Sequence, residues 1–102
     1  MPQAVAAQRI LVIDDDPIVR STVVEMLARS GFAPIEASAF DDAMRLIDDP
    51  EVRLVVSDIV MPGPSGFELT EAVRQRRPSV PVLLITGAGT DRIWSWHPEG
   101  GS

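Results

Sequence analysis

The chain of 102 residues has no cysteine, and all nine of its basic residues are arginine, so lysine is absent too. Without cysteine there is no disulfide, no thiolate metal site and no thiol nucleophile. Every fixed side-chain cation is therefore a guanidinium, and these are outnumbered by 15 acidic residues, for a net charge of -6. Nucleic acid needs a clustered basic surface to neutralise its phosphates. The one basic cluster, RQRRP at residues 74–78, reads as a helix C-terminus, where arginines favour the dipole. Direct nucleic-acid binding is not expected. No apolar run approaches the ~20 residues of a membrane span. The opening MPQAVAAQ also lacks the basic start and apolar core of a signal peptide, so the default is a cytoplasmic protein with no membrane association.

What is present starts with ILVIDDDP, residues 10–17, an apolar run that ends on three consecutive carboxylates. Crowded like charges raise one another's pKa unless a cation or strong hydrogen-bond donors offset the repulsion. The run itself, residues 9–13, is the continuous apolar, β-branched pattern of a strand buried on both faces. Asp16 followed by Pro17 is an N-cap and first helical position, which opens a helix that Gly31 can close.

The strand, turn and helix then recur. Residues 33–37 read as a short strand, and Ser38 with Asp41 resembles a capping box opening a helix over 39–49. Residues 52–57 form a second apolar strand. Ser65 with Glu68 caps a helix that Pro78 stops, and residues 80–86 give a fourth strand. The order β-α-β-α-β-α-β in a chain of one-domain length predicts a doubly wound parallel sheet with helices on both faces. Sites in such sheets lie beyond the carboxyl ends of the strands. Asp14, Asp15 and Asp16 leave the first strand, Asp58 the third and Thr86 the fourth, so these residues are predicted to share one cleft.

Three stretches in this order, ILVIDDDP, VVSDIVMPGPSGFEL and VPVLLITGAG, resemble the receiver domain of bacterial two-component response regulators, across residues 9–90. The resemblance implies the flavodoxin-like fold and a phosphoacceptor rather than an enzyme, with chemistry confined to its own phosphorylation and dephosphorylation. On the matching positions, Asp58 is implied as the phosphoacceptor. Asp14 and Asp15 are implied as the Mg²⁺-binding acidic pair, together with Asp58 and the backbone carbonyl of Val60. Thr86 is the implied switch hydroxyl, with Ile59 and Gly87 beside it around the phosphoryl group. The implied partner is a histidine kinase or phosphotransfer protein. Asp16 falls outside the acidic pair and remains a helix cap, and the sole histidine, His97, has no expected role.

The family also carries a lysine and an aromatic switch residue on a fifth strand, and neither has a counterpart here. Residues 1–8 are expected to be a flexible N-terminus, and residues 91–102 an aberrant or flexible tail of a truncated receiver. The sheet is then of order 2-1-3-4, its usual fifth strand and last helix missing. Residues 80–86 would become an uncharged sheet edge, favouring self-association through the fourth-strand side. The alternative reading is a pseudo-receiver, an interaction module that takes no phosphate. A nucleotide-binding flavodoxin relative is disfavoured because no glycine-rich fingerprint follows the first strand. Hydrolase chemistry with Asp58 as nucleophile is the remaining alternative on a fold type that hosts many functions.

Overall fold

The computed structural model describes residues 7–85 and 93–98. Five strands and three helices occur among them: β1 (Arg9–Ile13), α1 (Pro17–Arg29), β2 (Ala33–Ala37), α2 (Phe40–Leu46), β3 (Val52–Asp58), α3 (Gly66–Arg76), β4 (Val82–Ile85) and β5 (Ile93–Trp96). The sheet order is β2-β1-β3-β4-β5, with parallel pairs throughout except between β4 and β5. This is the flavodoxin-like doubly wound architecture expected from the sequence.

Alternation along the strands divides the core between the two faces. On one face Leu11, Ile13, Val55, Val82 and Leu84 pack with Ala43 and Ile47 of the α2 segment and Leu69 and Val73 of α3. On the other, Ile10, Val12 and Val56 meet Val23, Val24 and Leu27 of α1. β1 therefore needs apolar residues at every position from 10 to 13, and has them.

The helix starts follow their local chemistry in two cases of three. Asp16 accepts hydrogen bonds from the amides of Ile18 and Val19, with Pro17 in the first turn. Ser65 and Glu68 form the reciprocal capping box. At α2 the expected Ser38–Asp41 box does not form. The N-cap is Ala39, without a side-chain cap, and the Ser38 hydroxyl donates instead to Asp42 Oδ2. The two acids in the first turn of α2, Asp41 and Asp42, still complement its dipole.

The basic cluster does more than favour a helix dipole. Arg77 donates to the carbonyls of Ile47, Asp49 and Val52 at 2.6, 2.7 and 3.2 Å and reaches that of Pro50. Arg76 adds the Met44 carbonyl and an ion pair with Asp48. Together they tie the end of α3 to carbonyls of α2, its following turn and the first residue of β3.

The expectation of a missing fifth strand is overturned. Residues 93–96 pair antiparallel with β4, Ile93 opposite Ile85 and Trp96 opposite Val82. Trp96 packs against the α2/α3 core, and the Arg74 guanidinium lies 5.3 Å from its ring. The reason is chain length. A parallel return needs a dozen or more residues, whereas β4 ends at residue 85 and β5 begins at 93. So short a connection permits the antiparallel strand only. β4 is thus an interior strand, and self-association through an open β4 edge loses its premise. Residues 93–96 likewise belong to the sheet rather than to a tail.

Two outcomes are expected. Arg77→Met should lower stability by about 1.5–3 kcal/mol, the range for hydrogen bonds to a charged group, in chemical denaturation. Trp96→Ala should cost about 1–2 kcal/mol through lost burial and the cation–π contact. It should also loosen β5, so that amides 83–85 lose exchange protection and sedimentation becomes concentration-dependent. A Trp96→Ala protein that keeps that protection would show that β5 holds without its ring.

Candidate functional site

The site is set by the register of β1 on β3, which places Ile13 opposite Ser57. One residue later β1 gives way to Asp14, while β3 ends on Asp58. A slip of β1 by one residue would exchange side chains between its two packed faces and draw Arg9 or Asp14 into the enclosed stretch. The packing that fixes the core therefore also fixes the approach of the two acids.

Asp14, Asp15 and Asp58 each place a carboxylate oxygen within 4.8 Å of the others. Asp14 is 3% exposed and Asp58 8%, whereas Asp15 faces solvent. Asp14 Oδ1 accepts the Asp16 amide at 2.9 Å, and the Asp14 amide donates to the Ala37 carbonyl at 3.2 Å. Asp58 Oδ1 accepts from the Val60 amide at 3.4 Å. Asp16 is turned to its helix cap. None of the ion pairs among the described residues involves Asp14, Asp15 or Asp58.

Crowding and burial show in the titration of the two buried groups. Burial is the main cause that raises the Asp14 carboxyl above its ordinary 3.8. The Asp16 amide acts in the opposite sense, and the charges of Asp58, Asp15 and Asp16 add to the rise. Asp58 is raised for the same leading reason, against the Val60 and Ile59 amides and with repulsion from Asp15 and Asp16. A divalent cation would reverse both effects, and a set of oxygen donors alone suits a hard one.

The loop beyond Asp58 is shaped by two glycines. Gly63 adopts φ +82, a conformation that L side chains rarely take. Gly66 opens α3 directly behind the acid. Its amide donates to the Ile59 carbonyl at 2.7 Å, and a Cβ there would lie 2.5 Å from the Asp58 carbonyl oxygen and 2.9 Å from Ile59 Cα. Both neighbours are backbone, so any side chain at 66 would push helix and acid apart. The buried Ser57 hydroxyl donates to that same Asp58 carbonyl at 2.9 Å.

Of the residues marked in the sequence, Asp14, Asp15 and Asp58 converge, and Val60 contributes its amide. The Ile59 amide donates to the Ile85 carbonyl at 3.0 Å, bracing β4 against the loop. Thr86 and Gly87 lie outside the described residues. Gly66 and Arg20, whose guanidinium donates to the Asp14 carbonyl at 2.6 Å, were not marked from sequence. The position of Gly66, first after a cap and one turn beyond an acidic strand end, was the available signal for it. Arg20 offered none.

Residues 10–94 match the response regulator receiver domain family. The phosphate regulon transcriptional regulatory protein PhoB of Escherichia coli K12 is 31% identical over 87 residues, which cover 83% of this chain and 38% of PhoB. The chain thus spans well under half the length of that relative. Among solved structures, a response regulator receiver domain protein from Clostridium thermocellum matches with a TM-score of 0.75 at 26% identity, over 80% of this chain and 67% of that one. A chain from the complex of histidine kinase ThkA with response regulator protein TrrA matches with a TM-score of 0.74 at 32% identity, over 83% and 73%.

The raised carboxyls fix the sign of a pH effect. A group whose folded pKa is raised contributes stability in full below its unfolded value, here 3.8, and loses it as the pH rises through the folded value. At neutral pH the ionised cluster therefore destabilises the metal-free fold. Asp58→Asn and Asp14→Asn should each stabilise the protein against denaturant at pH 7 in chelator, and the gain over the parent should vanish below pH 3.8. A gain that is independent of pH would assign the effect to something other than charge.

Proposed function

The chain belongs to the response regulator receiver domain family, and from that premise we propose that it accepts a phosphoryl group on Asp58 from a phosphohistidine of a kinase or phosphotransfer protein. The observation that carries this reading is the convergence of Asp14, Asp15 and Asp58 within 4.8 Å, with no ion pair among the described residues to offset them. In the transfer, an Asp58 carboxylate oxygen forms the new P–O bond as the P–N bond to imidazole breaks. The electron pair of that bond returns to the ring nitrogen. Asp14, Asp15, Asp58 and the Val60 carbonyl would hold Mg²⁺, which when bound neutralises charge on the transferring phosphoryl oxygens. The protein's own part is position. The β1–β3 register aims the acids, the Val60 amide orients Asp58, and Gly66 lets α3 close behind it. Thr86 is the proposed switch hydroxyl, with Ile59 and Gly87 lining the phosphoryl group.

The phosphodonor would dock over apolar residues carried on the same segments as the acids. Ile18, in the first turn of α1, and Val60, two residues past Asp58, are each 76% exposed, and Phe67 in the first turn of α3 is 50% exposed. The surface is acidic overall, which supports protein partners over nucleic acid. No helix among the described residues is long and apolar enough to cross a membrane.

A second reading, an interaction module that takes no phosphate, is favoured by one observation. The chain has no lysine to pair with an aspartyl-phosphate. Incubation with a small-molecule phosphodonor and Mg²⁺, followed by intact mass, separates the two. Addition of one phosphoryl group, abolished by Asp58→Asn or by chelator, is the expected result. The adduct should be long-lived, since neither Val60 nor Ala88 has a polar side chain to orient an attacking water. No adduct, with Mg²⁺ binding intact, would support the interaction module.

A further inference from the structure

Arg20 lies in the second turn of α1 with its side chain only 17% exposed. Its Nη1 donates to the Asp14 carbonyl at 2.6 Å and its Nε to Glu36 Oε1 at 3.0 Å. One guanidinium thus joins α1, the end of β1 and β2. The carbonyl it holds belongs to the peptide between Asp14 and Asp15, and the rotation of that peptide decides where both carboxylates point. The same short segment is held from its other side, because the Asp14 amide bonds the Ala37 carbonyl and the Asp16 amide bonds Asp14 Oδ1.

What Arg20 does not do is equally informative. It sits beside a crowded acidic cluster yet forms its ion pair with Glu36 and gives its other bond to a backbone oxygen. The planar fork lets one group satisfy both acceptors at fixed angles, which an ammonium cannot do. Glu36 is paired with Val12 across the β1–β2 register, so the anchor is itself fixed by the sheet.

We propose that Arg20 is a positioning residue for the phosphoacceptor site: it fixes the Asp14–Asp15 peptide so that both carboxylates face Asp58, and Glu36 holds the guanidinium away from those carboxylates. This rests on the receiver reading given above. Charge and position act in opposite directions here, which makes the two roles separable. A guanidinium that acted on the site through charge would repel a divalent cation, so its removal would tighten binding. A guanidinium that acts through the peptide improves the site, so its removal loosens it.

The test uses Mg²⁺ alone as the probe, titrated by NMR against the parent, Arg20→Met, Arg20→Lys and Glu36→Gln, with amide exchange measured on each in chelator. Arg20→Met should weaken Mg²⁺ binding by about ten-fold or more, as for outer-shell partners of metal ligands. Arg20→Lys should not restore it. Glu36→Gln should also weaken binding, since the released guanidinium can then turn to the carboxylates. In chelator, exchange at the Asp14 and Asp16 amides should quicken in Arg20→Met while the last turns of α1 stay unchanged. Tighter Mg²⁺ binding in Arg20→Met would overturn the proposal in favour of a charge effect. Unchanged binding with lowered stability would make Arg20 a tie between α1 and β2 only. If the parent binds no Mg²⁺, the phosphoacceptor reading fails on its own, and the exchange data still decide whether Arg20 orders the acidic segment.

Discussion

The pairing of β1 with β3 governs everything else in this molecule. β1 is enclosed from Ile10 to Ile13, with a parallel neighbour on each edge and helices against each face. Its hydrophobic burial therefore has no tolerance for a shifted register, and that register delivers Asp14 to Asp58. Stability and chemistry meet at one strand end, where they conflict. Apolar packing buries carboxylates and crowds them, and both buried acids gain proton affinity, first from burial and then from the neighbouring charges. A protein that keeps such a cluster does so at the expense of the ion-free fold.

The absence of lysine deepens that conflict. The described arginines near the acids are committed elsewhere: Arg20 to Glu36 and a carbonyl, Arg76 and Arg77 to the α2 end at the far end of α3. None supplies a counter-charge to Asp58. The described residues thus leave the charge of the acidic cluster uncompensated.

Much of this was legible in the sequence, for identifiable reasons. A strand apolar at every position, an Asp-Pro helix start and a Ser-x-x-Glu capping box are local signals, and β1, α1 and α3 follow them. The acids at the ends of β1 and β3 could be placed together because parallel sheets gather their strand ends on one side. The Ser38–Asp41 box failed because two nearby acids compete for the same role, and Asp42 took the hydroxyl. β5 was missed because a composition rich in glycine and proline around it obscured four residues whose only requirement was an open neighbour. The roles of Arg20, Gly66 and Arg77 were not legible because each acts on backbone atoms distant in sequence, and no periodicity records that.

The antiparallel β5 also alters how the sheet assembles in time. Pairing Ile10 with Leu54 closes a loop of 44 residues, whereas pairing Ile85 with Ile93 spans 8. The difference in closure entropy is about 1.5 kcal/mol in favour of the short loop. β5 can therefore zip onto β4 and fray from it without reopening the long-range pairs, giving the fold a cooperative unit of its own at the sheet margin. The four parallel strands depend on non-local pairings, the slower class to form, whereas the last strand adds a local one.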